Sequence, residues 1–103
     1  MGLDILIYNN DGICMNKSEI SEDLHYWLFN LANLDKGRFR TIFRVQDYYK
    51  TNIQLSGIEI SSFIEELKEI RKKSPYSKEI ERIVNCINQQ NISFRDYLIL
   101  SYR

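Results

Sequence analysis

The apolar positions of this chain change period several times, and each change marks an element. Leu3-Asp4-Ile5-Leu6-Ile7-Tyr8 is a short apolar run ended by Asn9-Asn10-Asp11-Gly12. The Asp-Gly pair supplies the positive φ of a tight hairpin turn, which predicts a return strand over Ile13 to Met15. Leu24, Trp27, Leu28, Leu31 and Leu34 then recur at helical spacing and predict an amphipathic helix over residues 19–35. Ser18 and Ser21 compete as its N-cap, acids in its first turn suit the helix dipole, and Gly37 is placed to end it.

From Arg38 to Gln46 the period falls to two. Phe39, Thr41, Phe43 and Val45 share one face, with Arg38, Arg40, Ile42, Arg44 and Gln46 on the other, the pattern of a half-buried strand. Ile53 and Leu55 continue this alternation, whereas Ile58 and Ile60 have the opposite parity, so a bulge or strand end is expected at Ser56-Gly57. The two segments read as a hairpin with Tyr48, Tyr49 and Lys50 at its tip. Ser62 and Glu65 have capping-box spacing, and Phe63, Ile64, Leu67 and Ile70 predict a helix that runs out in Arg71-Lys72-Lys73. Pro75 is preorganised for the first position of a third helix, with Tyr76, Ile80, Ile83, Val84 and Ile87 as its apolar stripe. Tyr97-Leu98-Ile99-Leu100 is read as a last strand beside the first.

These elements predict an α+β domain in the order β-β-α-β-β-α-α-β, a largely antiparallel sheet with three helices packed on one face. A chain of 103 residues without repeats or linkers makes one domain, 1–103. Its five Phe, seven Tyr and one Trp bury enough area for a small core to hold without disulfides. Only Cys14 and Cys86 occur, which suits a reducing compartment. Asp4 stands where a signal peptide needs basic residues, and no apolar run approaches the roughly 18–20 residues of a membrane span, so a cytoplasmic location is expected.

Charge adds an asymmetry that the neutral total of 14 bases and 14 acids conceals. Residues 1–35 hold Asp4, Asp11, Glu19, Glu22, Asp23 and Asp35 against Lys17, while residues 36–50 hold Lys36, Arg38, Arg40, Arg44 and Lys50 against Asp47. Opposed local fields suit docking with a charged partner. Two candidate surfaces follow. Arg38, Arg40, Arg44, Tyr48 and Tyr49 belong to the residue types enriched in binding hot spots. Asp11, Glu19, Glu22 and Asp23 form an acidic rival able to shield a basic active site.

Catalytic chemistry has little to build on. His25 is the only histidine and sits one position off the main helical stripe, the place of a satisfied surface or boundary side chain. Cys86 falls beside Val84 and Ile87, as a buried inert thiol would. Two cysteines 72 positions apart and one histidine lack zinc-ligand spacing, and Gly2, Gly12, Gly37 and Gly57 are too scattered for a phosphate loop. No enzyme activity, metal or cofactor is therefore expected. Direct nucleic-acid binding is not expected either, because strand alternation would send the arginines and phenylalanines to opposite faces.

Two stretches carry a family resemblance: the opening Met-Gly-Leu-Asp-Ile-Leu-Ile-Tyr with its Asn-Asp-Gly turn, and Ile53-Gln-Leu-Ser-Gly-Ile-Glu-Ile-Ser-Ser-Phe-Ile-Glu-Glu-Leu-Lys-Glu-Ile70. In both, the chain resembles small bacterial immunity proteins of contact-dependent growth inhibition and other polymorphic-toxin systems. The resemblance implies a cytosolic, monomeric antidote that forms a heterodimer with one cognate toxin domain, often a nuclease, and occludes its active site. The alternative is a regulatory or adaptor domain that binds another cellular protein or itself, with an enzyme as a minor third reading.

Overall fold

The structure, a computed structural model, describes residues 2–90 and 95–102. Strand β1 (Gly2–Tyr8) turns back into β2 (Cys14–Ser21) through Asn9-Asn10-Asp11-Gly12. Gly12 takes the positive φ expected of it, 78°, and the Asn9 side-chain carbonyl accepts the N–H groups of Asp11 and Ile13. The return strand is longer than the sequence pattern indicated because its middle, Asn16-Lys17-Ser18-Glu19, is polar: it is a sheet edge that needs no apolar alternation.

Ser21 is the N-cap of α1 (Glu22–Tyr26), its hydroxyl accepting the Leu24 N–H at 3.1 Å. The same hydroxyl donates to the Glu79 carboxylate at 2.8 Å, and the Ser21 N–H donates to the other Glu79 oxygen at 2.9 Å. One side chain thus ties the end of β2 to the start of α1. The helix then widens into a π-turn, Trp27–Leu31, closed by the Ala32 N–H on the Trp27 carbonyl. It ends there, well short of residue 35, because Asn33 adopts a positive φ of 54°. Gly37 lies beyond it in a separate turn, bonded to the Asp35 carboxylate.

The strand expected over Arg38–Gln46 is not formed. The segment is a turn and a one-turn helix, α2 (Arg40–Phe43). Its fully buried side chains are Phe39, Ile42 and Val45, a three-residue spacing that competes with the two-residue alternation and wins because Ile42 reaches the core. The helix start is held from outside: Glu66 accepts the Ile42 N–H at 2.9 Å and the Thr41 N–H at 3.4 Å. Glu66→Ala leaves both donors without this acceptor and costs about 1–2 kcal/mol, read as a lower urea midpoint. An unchanged midpoint would show that the cap contributes nothing.

With that strand gone, so is its hairpin. A 3₁₀ turn at Tyr48–Lys50 leads into β3 (Asn52–Ser56), which pairs with the C-terminal strand. Gly57, at φ 56°, then starts α3 (Ile58–Arg71), so Ser62 and Glu65 lie inside the helix and form no capping box. The parity conflict at Ile58 and Ile60 is resolved by a helix start: Ile60, Phe63, Leu67 and Ile70 form its buried stripe and Ile58 is left outside. Helix α4 (Ser77–Asn88) follows two residues after Pro75, with Ile80, Ile83, Val84 and Ile87 buried.

Strand β4 (Tyr97–Tyr102) lies between β1 and β3, giving the antiparallel order β2-β1-β4-β3. The expected pairing of last strand with first is present, with Ile5 opposite Leu100 and Ile7 opposite Leu98. Leu3, Ile5, Ile7, Leu55, Leu98 and Leu100 face the helices and are fully buried. The domain is α+β. Its element order matches the expected one except that α2 replaces the third strand, leaving four strands among the described residues.

Candidate functional site

The sharpest convergence of charge and aromatic surface lies at the end of the sheet where β2 enters α1. Glu22, Tyr26 and Asn30 recur every four residues along α1 and its π-turn, so they share one side of it. Across from them runs Gln46-Asp47-Tyr48-Tyr49. Together with Asp23 and His25 these residues line a concavity of about 480 Å³. Three carboxylates and no lysine or arginine line it. Tyr26 and Tyr49 are 59% and 73% exposed, unusual for such large rings and available to a partner.

The floor is aromatic. Tyr48 packs edge-on against His25, Tyr49 and Tyr102, with centroids 4.9, 5.1 and 5.0 Å apart, and Tyr49 also meets Tyr102 at 5.1 Å. Burial, then the negative field of Glu22, pushes the Tyr48 phenol up to about 12, with Tyr102, Tyr49 and Glu19 adding to the rise. It stays neutral under any cellular condition. The same field that opposes a phenolate attracts a cation.

His25 is buried rather than at the surface or boundary, only 7% exposed. Its Nε2 lies 2.6 Å from the Val45 carbonyl oxygen, which can only accept, so Nε2 carries the hydrogen. Phe29 covers the ring at 4.7 Å. Burial lowers its pKa below the usual 6.5, against the opposing pull of the Val45 carbonyl and of Asp47. The unfolded chain therefore binds this proton more readily than the folded one, and the stability tied to a neutral His25 is lost as pH falls below about 6.5. Replacing it with glutamine, which keeps a donor for Val45 but does not titrate in this range, flattens the loss of stability between about pH 7 and pH 5. Equal slopes for the two proteins in urea titrations would refute this.

The structure divides the predicted site residues among four places. Tyr48 and Tyr49 join Glu22 and Asp23, so halves of the two rival surfaces are one. The arginines are elsewhere: Arg38 pairs with Glu69 and Arg44 with Glu59, both on α3, while Arg40 lines a shallow basic depression with Lys36, Phe43 and Arg44. Since they occupy turns and α2, the charged strand face expected for them does not exist. Asp11 sits in the β1–β2 turn, at the other end of β1 and about 20 Å along it. Glu19 lies between, on β2, in a groove with Lys17, Ser18, Ser21, Glu79, Arg82, Ile83 and Cys86. Cys86 is half-buried there rather than buried, its thiol 3.6 Å from the Lys17 carbonyl and pushed up by burial against the lowering effect of Ser18. Such a thiol is a poor nucleophile.

Sequence reasoning passed over Tyr26, Asn30, Gln46 and Asp47. The four-residue spacing of Glu22, Tyr26 and Asn30 was a readable signal for the first two. Gln46 and Asp47 carried none, since their place depends on α2. Among the described residues no group of three or more histidine, cysteine or acidic side chains is arranged to hold a metal ion, and no helix is long and apolar enough to cross a membrane. Comparisons with protein-family models, with curated proteins and with solved structures find no match to this chain.

Proposed function

We propose that this chain is an antidote of the immunity-protein kind, which binds one cognate bacterial toxin domain in the cytoplasm and occludes its active site without chemistry of its own. The observation that carries the reading is the concavity in which Glu22, Asp23 and Asp47 stand among Tyr26, Tyr48 and Tyr49, with no lysine or arginine in its lining. A nuclease must hold phosphates, so the rim of its active site is basic. An acidic, tyrosine-walled hollow is complementary to such a rim. The carboxylates speed encounter and fix register, while the exposed rings bury area against the partner. An antidote acting by occlusion needs a rigid patch and no reactive group, which agrees with a neutral His25 and an inert Cys86.

The resemblance of Gly2–Tyr8 and Ile53–Ile70 to immunity proteins supports the same reading. Those stretches form β1, β3 and α3, which build the scaffold and leave the concavity to other residues. The test is co-expression with the C-terminal domain of whatever large toxin gene lies directly upstream, the lack of any such gene itself counting against the reading. The expected result is a stable complex on co-purification and restored growth. Absence of a complex with a toxin that remains active would overturn the reading and leave a regulatory or adaptor domain with another partner.

A further inference from the structure

The strand order leaves β2 and β3 as the two edges of the sheet, and they are treated differently. On β2 the Ser21 N–H goes to Glu79 and the Lys17 carbonyl faces the Cys86 thiol, so Lys17, Glu19 and Ser21 are the residues whose backbone groups point outward. Helix α4 supplies both of those contacts, and Lys17 and Glu19 place charge on the strand. This edge is guarded. On the other side, the Tyr102 N–H donates to the Thr51 carbonyl at 3.1 Å, which sets the phase of the ladder. Ile53 and Leu55 turn their backbone groups to β4, and Asn52, Gln54 and Ser56 turn theirs outward, the Ser56 N–H meeting only a long contact, 3.5 Å, from the Glu59 carboxylate, which strand pairing would replace. All three are exposed. The strand contains no charge, no proline and no bulge.

We propose that β3 pairs antiparallel with β3 of a second copy of this chain, about a two-fold axis at Gln54, joining two four-stranded sheets into one. The outward set dictates the register: Gln54 faces its own mate and Asn52 faces Ser56, each pair exchanging N–H and carbonyl groups. What favours a second copy is the content of the flanks. Among the described residues Ile58 and Tyr49 are the most exposed large hydrophobic side chains, 77% and 73% exposed, and they flank β3 in the chain. In this register the flank carrying Tyr49 and Lys50 meets the flank carrying Ile58 and Glu59 of the second copy, at both ends of the pair. Apolar surface meets apolar surface, and Lys50 joins the ion pair that Glu59 already makes with Arg44. A contact built on one short strand and its flanks is smaller than a standard interface, so the dissociation constant falls in the range of about 1–100 µM.

Sedimentation equilibrium of the protein alone, from about 1 to 200 µM, tests this without any toxin, so its failure is distinct from failure of the antidote reading. The expected mass rises from one chain to two. Gln54→Pro removes an outward N–H that an edge strand can spare, and Ile58→Lys sets a lysine against Lys50. Each shifts the midpoint at least tenfold to higher concentration, with an unchanged thermal melt confirming the fold. Gln54→Lys serves as the backbone-conserving variant should the proline change the melt. A mass of one chain throughout, or a dimer whose midpoint neither Ile58→Lys nor the folded Gln54 variant moves, would overturn the proposal. Protection of the β3 amides only when a toxin is added would assign the edge to that partner instead.

Discussion

Truncating Phe63 to alanine lowers stability by about 3–5 kcal/mol, the largest loss expected of any single core substitution here. Phe63 is the bulkiest fully buried side chain of the domain and sits on the stripe by which α3 packs against sheet and α2. Removing a ring from a close-packed interior takes away its transfer free energy and leaves a cavity that the surrounding isoleucines and leucines, fixed on helices and strands, refill only in part. A domain of this size has roughly 5–15 kcal/mol in total, so the variant approaches its unfolding midpoint in mild denaturant. Urea titration followed by circular dichroism reads the change directly. A loss under about 1 kcal/mol would mean that the packing of α3 is looser than described.

Reversing two charges in the concavity has the largest expected effect on function. Glu22→Lys with Asp47→Lys turns a cation-attracting hollow into a repelling one, and weakens the toxin complex at least ~100-fold, about 2.7 kcal/mol. Both side chains are exposed and neither touches the core, so the melting temperature stays within a few degrees of the parent. Asp11→Lys is the control, read against each of the two reversals made singly, which like it change net charge by two. It changes net charge in the same direction at the far end of β1, and its effect stays within a few-fold. Equal losses from the control and the single reversals would show that total charge, and not the concavity, governs binding.

Much of this architecture was legible in the sequence, for reasons that also explain where legibility ended. The Asp-Gly turn, the stripe Ile80, Ile83, Val84 and Ile87, and the apolar runs that became β1 and β4 carry local signals strong enough to survive tertiary packing. The segment Arg38–Gln46 did not. Its alternation satisfied the rule for a strand, while Phe39, Ile42 and Val45 also satisfied a helical spacing, and only the Glu66 carboxylate from α3 and the room for Ile42 in the core decided between them. Losing that strand removed the arginine face and freed Arg38 and Arg44 for ion pairs with α3.

The site was half readable. Glu22, Asp23, Tyr48 and Tyr49 were identified singly, as members of rival surfaces. Their union depends on the 3₁₀ turn at Tyr48–Lys50 folding back over α1, a long-range fact fixed by His25 reaching the Val45 carbonyl and by the edge-on packing of Tyr48 against Tyr102. Neither contact leaves a periodic trace. Burial of His25 was hidden by its polar class, although Leu24, His25 and Leu28 lie on one side of the helix.

The claim that the Tyr-acid concavity is the docking surface is tested most directly by amide hydrogen exchange on the free protein and on its complex with the toxin domain. Added protection is expected at Glu22–Leu31 and at Gln46–Lys50, with the Asn9–Gly12 turn unchanged. Protection confined to Arg38–Arg44 or to the turn, with the concavity exchanging as in the free protein, would contradict it.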